Sequence, residues 1–134
     1  MACKAFYLPT RVITGLGCSR QVGAEARRLG ERALLVCSRG AASRQGFLKP
    51  LLDSLREAGV AVALYAEVVG EPTLELVQAG IERARTERSQ AVIGLGGGSA
   101  MDTAKAIAGL VNLPGSVWKY HTGRALEGPL LPPQ

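Results

Sequence analysis

The sequence predicts an α/β fold, a parallel sheet with helices on both faces. Three observations predict it. Short apolar runs at 33–37, 60–65 and 91–95 alternate with amphipathic stretches of roughly 10 to 15 residues. Strand-helix-strand units of that size close into parallel pairs through right-handed crossovers. A run of three glycines, Gly96-Gly97-Gly98, then links the last apolar run to a helical pattern.

Each element can be justified in turn. Phe6 to Thr14 mixes alternating and apolar residues around Pro9 and reads as an extended strand or hairpin. Gly15-Leu16-Gly17 turns the chain, Ser19 is placed to cap a helix through Leu29, and Gly30 stands where a C′ glycine ends one. Ala33-Leu34-Leu35-Val36-Cys37 is a buried strand, and Ser38 to Arg44 a loop. Phe47, Leu48, Leu51, Leu52 and Leu55 recur at helical spacing until Gly59. Val60 to Tyr65 is the next strand, and Pro72-Thr73 opens a helix with Leu74, Val77 and Ile81 on one face. Ala91-Val92-Ile93-Gly94-Leu95 is a strand, and Ala104, Ile107, Ala108 and Val111 mark the helix after the glycines. From Asn112 the pattern dissolves, broken by prolines and glycines up to Pro133. The expected organisation is a ligand-binding domain over 1–111 and an irregular tail over 112–134.

Composition narrows the function classes. A chain of 134 residues, 47% hydrophobic, is long enough for one core and short for a two-domain enzyme. No apolar run reaches the roughly 18 residues of a membrane span, and no secretory leader opens the chain. Cys3, Cys18 and Cys37 lack metal-ligand spacing and read as reduced thiols, with Cys37 buried in its strand, so a cytoplasmic address is expected. The net charge of +5 is uneven: residues 1–56 hold ten Lys or Arg against three acids, and the rest six against eight. The arginines are scattered, aromatics are few and no recognition motif accompanies them, which argues against nucleic acid. A basic half suits a phosphate-bearing small ligand equally well.

The chemistry concentrates in Gly96-Gly97-Gly98-Ser99-Ala100-Met101-Asp102-Thr103-Ala104-Lys105. Glycines let the backbone approach a ligand that side chains would hold off. The first amides of the next helix lack internal partners and sit at the positive end of its dipole, a ready cradle for phosphate. Ser99 and Asp102 have the spacing of a capping box with Asp in place of Glu or Gln. The same features serve tight helix packing and capping alone, and the spacing does not choose between these uses. The segment is neither a P-loop, lacking Gly-Lys-Ser/Thr, nor a Gly-x-Gly-x-x-Gly. Ser38-Arg39-Gly40 lies at another strand's carboxyl end, the side on which parallel sheets bind ligands.

In these residues the chain resembles the N-terminal domain of the iron-containing (group III) alcohol dehydrogenase family, relatives of which include glycerol dehydrogenase and dehydroquinate synthase. Gly96 to Lys105 matches the family's Gly-Gly-Gly-Ser-x-x-Asp-x-Ala-Lys motif residue for residue. Val12 to Gly17, Ala33 to Val36, Glu71 to Leu74 and Trp118-Lys119-Tyr120 give supporting matches nearly end to end.

The resemblance implies a Rossmann-like cofactor-binding half of an NAD(P)-dependent, metal-dependent alcohol dehydrogenase. Gly97, Gly98 and Ser99 would hold the pyrophosphate on the helix N-terminus, with Gly96 also in the cofactor site and Asp102 and Lys105 part of the same signature. Family members add a Thr- and Gly-rich segment and a helical domain whose Asp and His residues hold iron or zinc. The expectation is therefore a truncated member, inactive alone, whose complete enzyme takes a small alcohol or aldehyde and is compatible with a homo-oligomer. His121 reads as an exposed loop histidine without an acidic partner nearby. Members that prefer NAD often carry an acid at the end of the second strand; this chain has Ser38 there, with Arg39 and Arg44 nearby. A hydroxyl and a guanidinium welcome a 2′-phosphate, so NADP is expected over NAD. Two other readings stay open: a free-standing dinucleotide-binding module without catalysis, and a fragment of a glycerol dehydrogenase or maleylacetate reductase relative.

Overall fold

The computed structural model describes residues 7–43 and 45–121. A 3-10 turn at Cys18–Gln21 leads into α1 (Val22–Arg27), then β1 (Arg32–Ser38), α2 (Arg39–Ser43), α3 (Gln45–Glu57) and β2 (Ala61–Val68). Helix α4 (Leu74–Thr86), β3 (Ala91–Leu95), α5 (Gly98–Leu110) and the short α6 (Trp118–His121) follow. The strands form one parallel sheet in the order β2-β1-β3. The α/β, Rossmann-like expectation holds.

The central position of β1 explains its sequence. A parallel strand paired on both sides and covered on both faces has no polar face to alternate with. Ala33 through Cys37 are accordingly all buried, four of them with no exposed surface. Successive side chains still serve opposite faces. Leu34 and Val36 join Tyr65, Val77, Ile81, Ala104 and Ile107 beneath α4 and α5. Ala33 and Leu35 join Ala26, Leu48, Leu51 and Leu55 beneath α1 and α3. Each fully buried leucine of this kind contributes about 1.5–3 kcal/mol.

Glycines set two of the helix contacts. A Cβ on Gly80 of α4 would stand 2.3 Å from Ile107 Cδ1 on α5, and one on Gly23 of α1 would stand 2.1 Å from the Ser54 carbonyl oxygen of α3. The Gly23 amide donates to Ser54 Oγ at 3.0 Å, and Ser54 Oγ donates to the Arg20 carbonyl at 2.6 Å. Helix α4 begins as the sequence indicates: Thr73 Oγ1 accepts from the Leu76 amide at 3.2 Å. Thr73→Ala should lower stability by about 1 kcal/mol, read as a fall in thermal midpoint with an unchanged fold.

Several expectations need correction. Residues 7–14 form no strand, and Tyr7, Leu8 and Val12 are largely exposed. A strand needs a partner for its amides, Pro9 has none to offer, and neither sheet edge in the described residues pairs with this segment. Phe6 lies outside the described residues. Ser19 is inside the 3-10 turn, whose N-cap is Gly17, and makes no side-chain cap. Helix α1 ends at Arg27, so Gly30 comes two residues after its C-cap Arg28. Its φ of 157° is the conformation that a side chain resists. The loop over 38–44 is mostly the single-turn helix α2.

After α5 the chain is irregular through Ser116, but Val117 is buried in the main core and Trp118–His121 form a helical turn. The Val117 amide donates to Gln78 Oε1 at 2.9 Å, which fixes this segment on α4. His121 is exposed. Cys37 is fully buried and free, and burial pushes its thiol pKa up. Cys18 is half-buried and free, and Cys3 lies outside the described residues. No helix among the described residues is long and apolar enough to cross a membrane.

Candidate functional site

Strand order places a cleft at one end of the sheet. Strands β1 and β3 are neighbours, yet α3 after β1 and α5 after β3 pack on opposite faces. Where connections diverge in this way, the carboxyl ends of the two strands are left open between them. The cleft there has a volume of about 410 Å³ and is lined by Ser38, Gly40, Ala41, Phe47, Leu95, Gly96 and Gly97. Two segments remote in sequence are thus brought to one opening.

The glycines do separate jobs at its rim. A Cβ on Gly94 would stand 3.0 Å from Ala104 Cβ, so its absence seats α5 closely on β3. Gly96 has φ 138° and makes the turn that side chains disfavour. Gly97 is the N-cap of α5, extended at φ −82° and ψ −167°, and Gly98 is its first residue. A Cβ on either would meet nothing within 4 Å among the described residues. Packing among the described residues therefore does not require glycine at either position.

The capping box is not formed. Gly97 caps α5 with no side-chain hydrogen bond, and Ser99 lies within the helix. The Ser99 carbonyl instead accepts from the buried Thr103 hydroxyl at 2.7 Å. A glycine cap brings no oxygen of its own to the helix amides. The first intrahelical bond at this end runs from the Met101 amide to the Gly97 carbonyl at 3.1 Å. The amides of Gly98, Ser99 and Ala100 precede that bond and sit at the positive end of a helix of 13 residues. This is the local arrangement that receives an anion. Asp102 and Lys105 lie farther along α5, exposed and paired with each other at 3.4 Å, and neither lines the cleft.

The other rim departs from expectation in its chemistry. Ser38 Oγ accepts from the Ala41 amide at 3.1 Å and so starts α2. Arg39 Nη2 donates to Glu67 Oε2 at 2.8 Å. The bond to Ala41 uses the Ser38 hydroxyl only as an acceptor, whereas the Arg39 charge is offset by the Glu67 carboxylate, which weakens the basis on which NADP was expected over NAD. Arg44 lies outside the described residues. Phe47, assigned by its spacing to the buried face of α3, is 67% exposed at the cleft. Neither its lining role nor the pairing of Glu67 with Arg39 is legible from helical or strand periodicity.

Fold and site together define a Rossmann-like α/β unit with a glycine-capped helix start at its topological switch point. The chain belongs to the iron-containing alcohol dehydrogenase family, whose pattern it matches over residues 9–133. It is 39% identical over 116 residues to choline dehydrogenase of Bacillus subtilis (strain 168), covering 86% of this chain and 29% of that one. It is 34% identical over 127 residues to sulfoacetaldehyde reductase of Bilophila wadsworthia (strain 3_1_6), covering 94% and 33%. Among solved structures, NADH-dependent butanol dehydrogenase A of Thermotoga maritima superposes with a TM-score of 0.81 at 31% identity, covering 89% of this chain and 30% of that one. Sulfoacetaldehyde reductase of Bifidobacterium kashiwanohense, solved in complex with NAD+, gives 0.78 at 25% identity over 93% and 33%. This chain spans about a third of the length of these relatives.

Proposed function

We propose that this chain is the nicotinamide-dinucleotide-binding part of an alcohol or aldehyde oxidoreductase, with residues 1–111 as its binding unit and Val117 packed onto it. The single observation that carries this reading is the glycine-capped start of α5 at the switch-point cleft. The amides of Gly98 and Ser99 would hold the pyrophosphate, with Gly97 giving it room to approach. Gly96 supplies the turn that aims the helix. The adenosine would run toward Ser38 and Arg39 across the neighbouring strand end. Asp102 and Lys105 would act from the next turn of α5 as charges near the site.

When bound, the dinucleotide supplies the hydride acceptor or donor for a small alcohol or aldehyde. This chain's residues bind and orient that cofactor. The relatives include NADH-dependent and NAD-dependent alcohol dehydrogenases. Iron is implied by the family, but the described residues do not fit it: no three His, Cys, Asp or Glu side chains among them come together. Turnover would draw its metal ligands and substrate walls from outside the described residues.

Titration of the purified chain with NADH and NADPH, followed by nicotinamide fluorescence and heat, tests the reading. Binding with Kd between about 1 μM and 1 mM, roughly −8 to −4 kcal/mol, is expected. A folded chain that binds neither cofactor would overturn it.

A further inference from the structure

We infer that Glu67 sets the choice between NAD and NADP, by holding Arg39 and placing a carboxylate beside the end of β1. The inference rests on the dinucleotide reading above and adds a residue to it.

The geometry that brings Glu67 there is a strand irregularity. Val36 pairs with Tyr65, and the next matched pair is Ser38 with Val68. Strand β1 advances two residues between those pairs while β2 advances three. Cys37 therefore stands opposite both Ala66 and Glu67, the two-against-one count of a bulge, which bends a strand and re-aims its side chains. Within the bulge, the Glu67 carboxylate meets Arg39 at 2.8 Å. Arg39 directly follows Ser38, which lines the cleft.

The consequence for recognition is electrostatic. A 2′-phosphate next to Ser38 would meet in Arg39 a guanidinium whose charge the Glu67 carboxylate offsets. Ser38 spends an acceptor site on the Ala41 amide and supplies no charge of its own. A ribose 2′-hydroxyl, by contrast, can donate to a carboxylate. Glu67 thus supplies from β2 the negative group that the end of β1 lacks. Both side chains are more than half exposed, so the pair is alterable without disturbing the core.

The test is the ratio of NADPH to NADH affinity in the full chain, its Glu67→Gln variant, and Glu67→Gln combined with Arg39→Ala. Unaltered protein should bind NADH more tightly. Glu67→Gln should shift the ratio toward NADPH by about tenfold, because a freed guanidinium gains a charge-assisted bond to the phosphate. Adding Arg39→Ala should remove the freed guanidinium's share of that shift and leave the share that comes from the lost carboxylate. A purely structural role for Glu67 would weaken both cofactors together and leave the ratio unmoved, which overturns the inference while leaving the dinucleotide site intact. Failure of all three proteins to bind either cofactor, with unchanged circular dichroism, overturns the dinucleotide reading and the inference with it.

Discussion

Gly98→Asp should leave the chain at least as stable and cost it most of its dinucleotide affinity. Gly98 is the first residue of α5, and a Cβ there meets nothing within 4 Å. An acid in the first helical turn interacts favourably with the dipole, by about 0.3–1 kcal/mol. The thermal midpoint should therefore hold or rise by a few degrees. The same carboxylate would stand where the pyrophosphate is proposed to sit. Like charges brought together in an interface cost several kcal/mol, so Kd should rise about 100-fold or more. Gly98→Asn adds similar bulk without charge and should lose less. Opposite signs in stability and binding separate a ligand cradle from a turn that only packs a helix. An affinity untouched by Gly98→Asp would mean that no phosphate sits at this helix start.

Gly23→Ala should be among the most damaging single-methyl changes. The added Cβ would lie 2.1 Å from the carbonyl oxygen and 2.6 Å from the carbonyl carbon of Ser54. Those are backbone atoms of α3, so no rotamer change relieves the contact and α1 must move away. Its movement also breaks the Gly23 amide bond to Ser54 Oγ and uncovers Ala26, which is 5% exposed. Overpacking of this kind costs about 1–3 kcal/mol, and the upper end is expected here. For a chain of this length that is a fall of roughly 10 °C in thermal midpoint. Gly109→Ala is the matched comparison, since a Cβ at that position of α5 meets nothing within 4 Å. It should stabilise by about 0.5–1 kcal/mol through helix propensity. Midpoints moving in the same direction for both substitutions would sink the close-approach account.

The strands, the long helices and the glycine turn were legible because local pattern and tertiary role agree in them. Leu34 and Val36 face one layer and Ala33 and Leu35 the other, so any register that buries β1 requires an unbroken apolar run. Thr73 and Pro72 mark the start of α4 through backbone chemistry that needs no distant partner. Where a signal depended on a partner, it misled. The stretch from Tyr7 to Thr14 has strand composition, but β-propensity counts only when another strand receives its amides. Ser99 and Asp102 have capping spacing, yet Gly97 occupies the cap because the chain enters α5 two residues earlier. Phe47 shares a helical stripe with Leu48, Leu51 and Leu55, but its side opens on the cleft rather than the core.

By itself the sequence determined the α/β class, the order of its three strands and long helices, and a glycine turn at the end of the last strand. These follow from periodicities of two and 3.6, from turn chemistry and from a ten-residue motif, all of which act over short stretches of chain. The tertiary structure alone decided that Ser38 and Gly97 border one cleft, that Ser38 is spent as a cap, and that Glu67 meets Arg39. The physical reason is separation along the chain. Glu67 and Arg39 are 28 residues apart, and they meet where the register between β1 and β2 shifts by one residue. Strand order and a bulge are properties of how segments pair, and pairing is fixed only when the whole sheet forms.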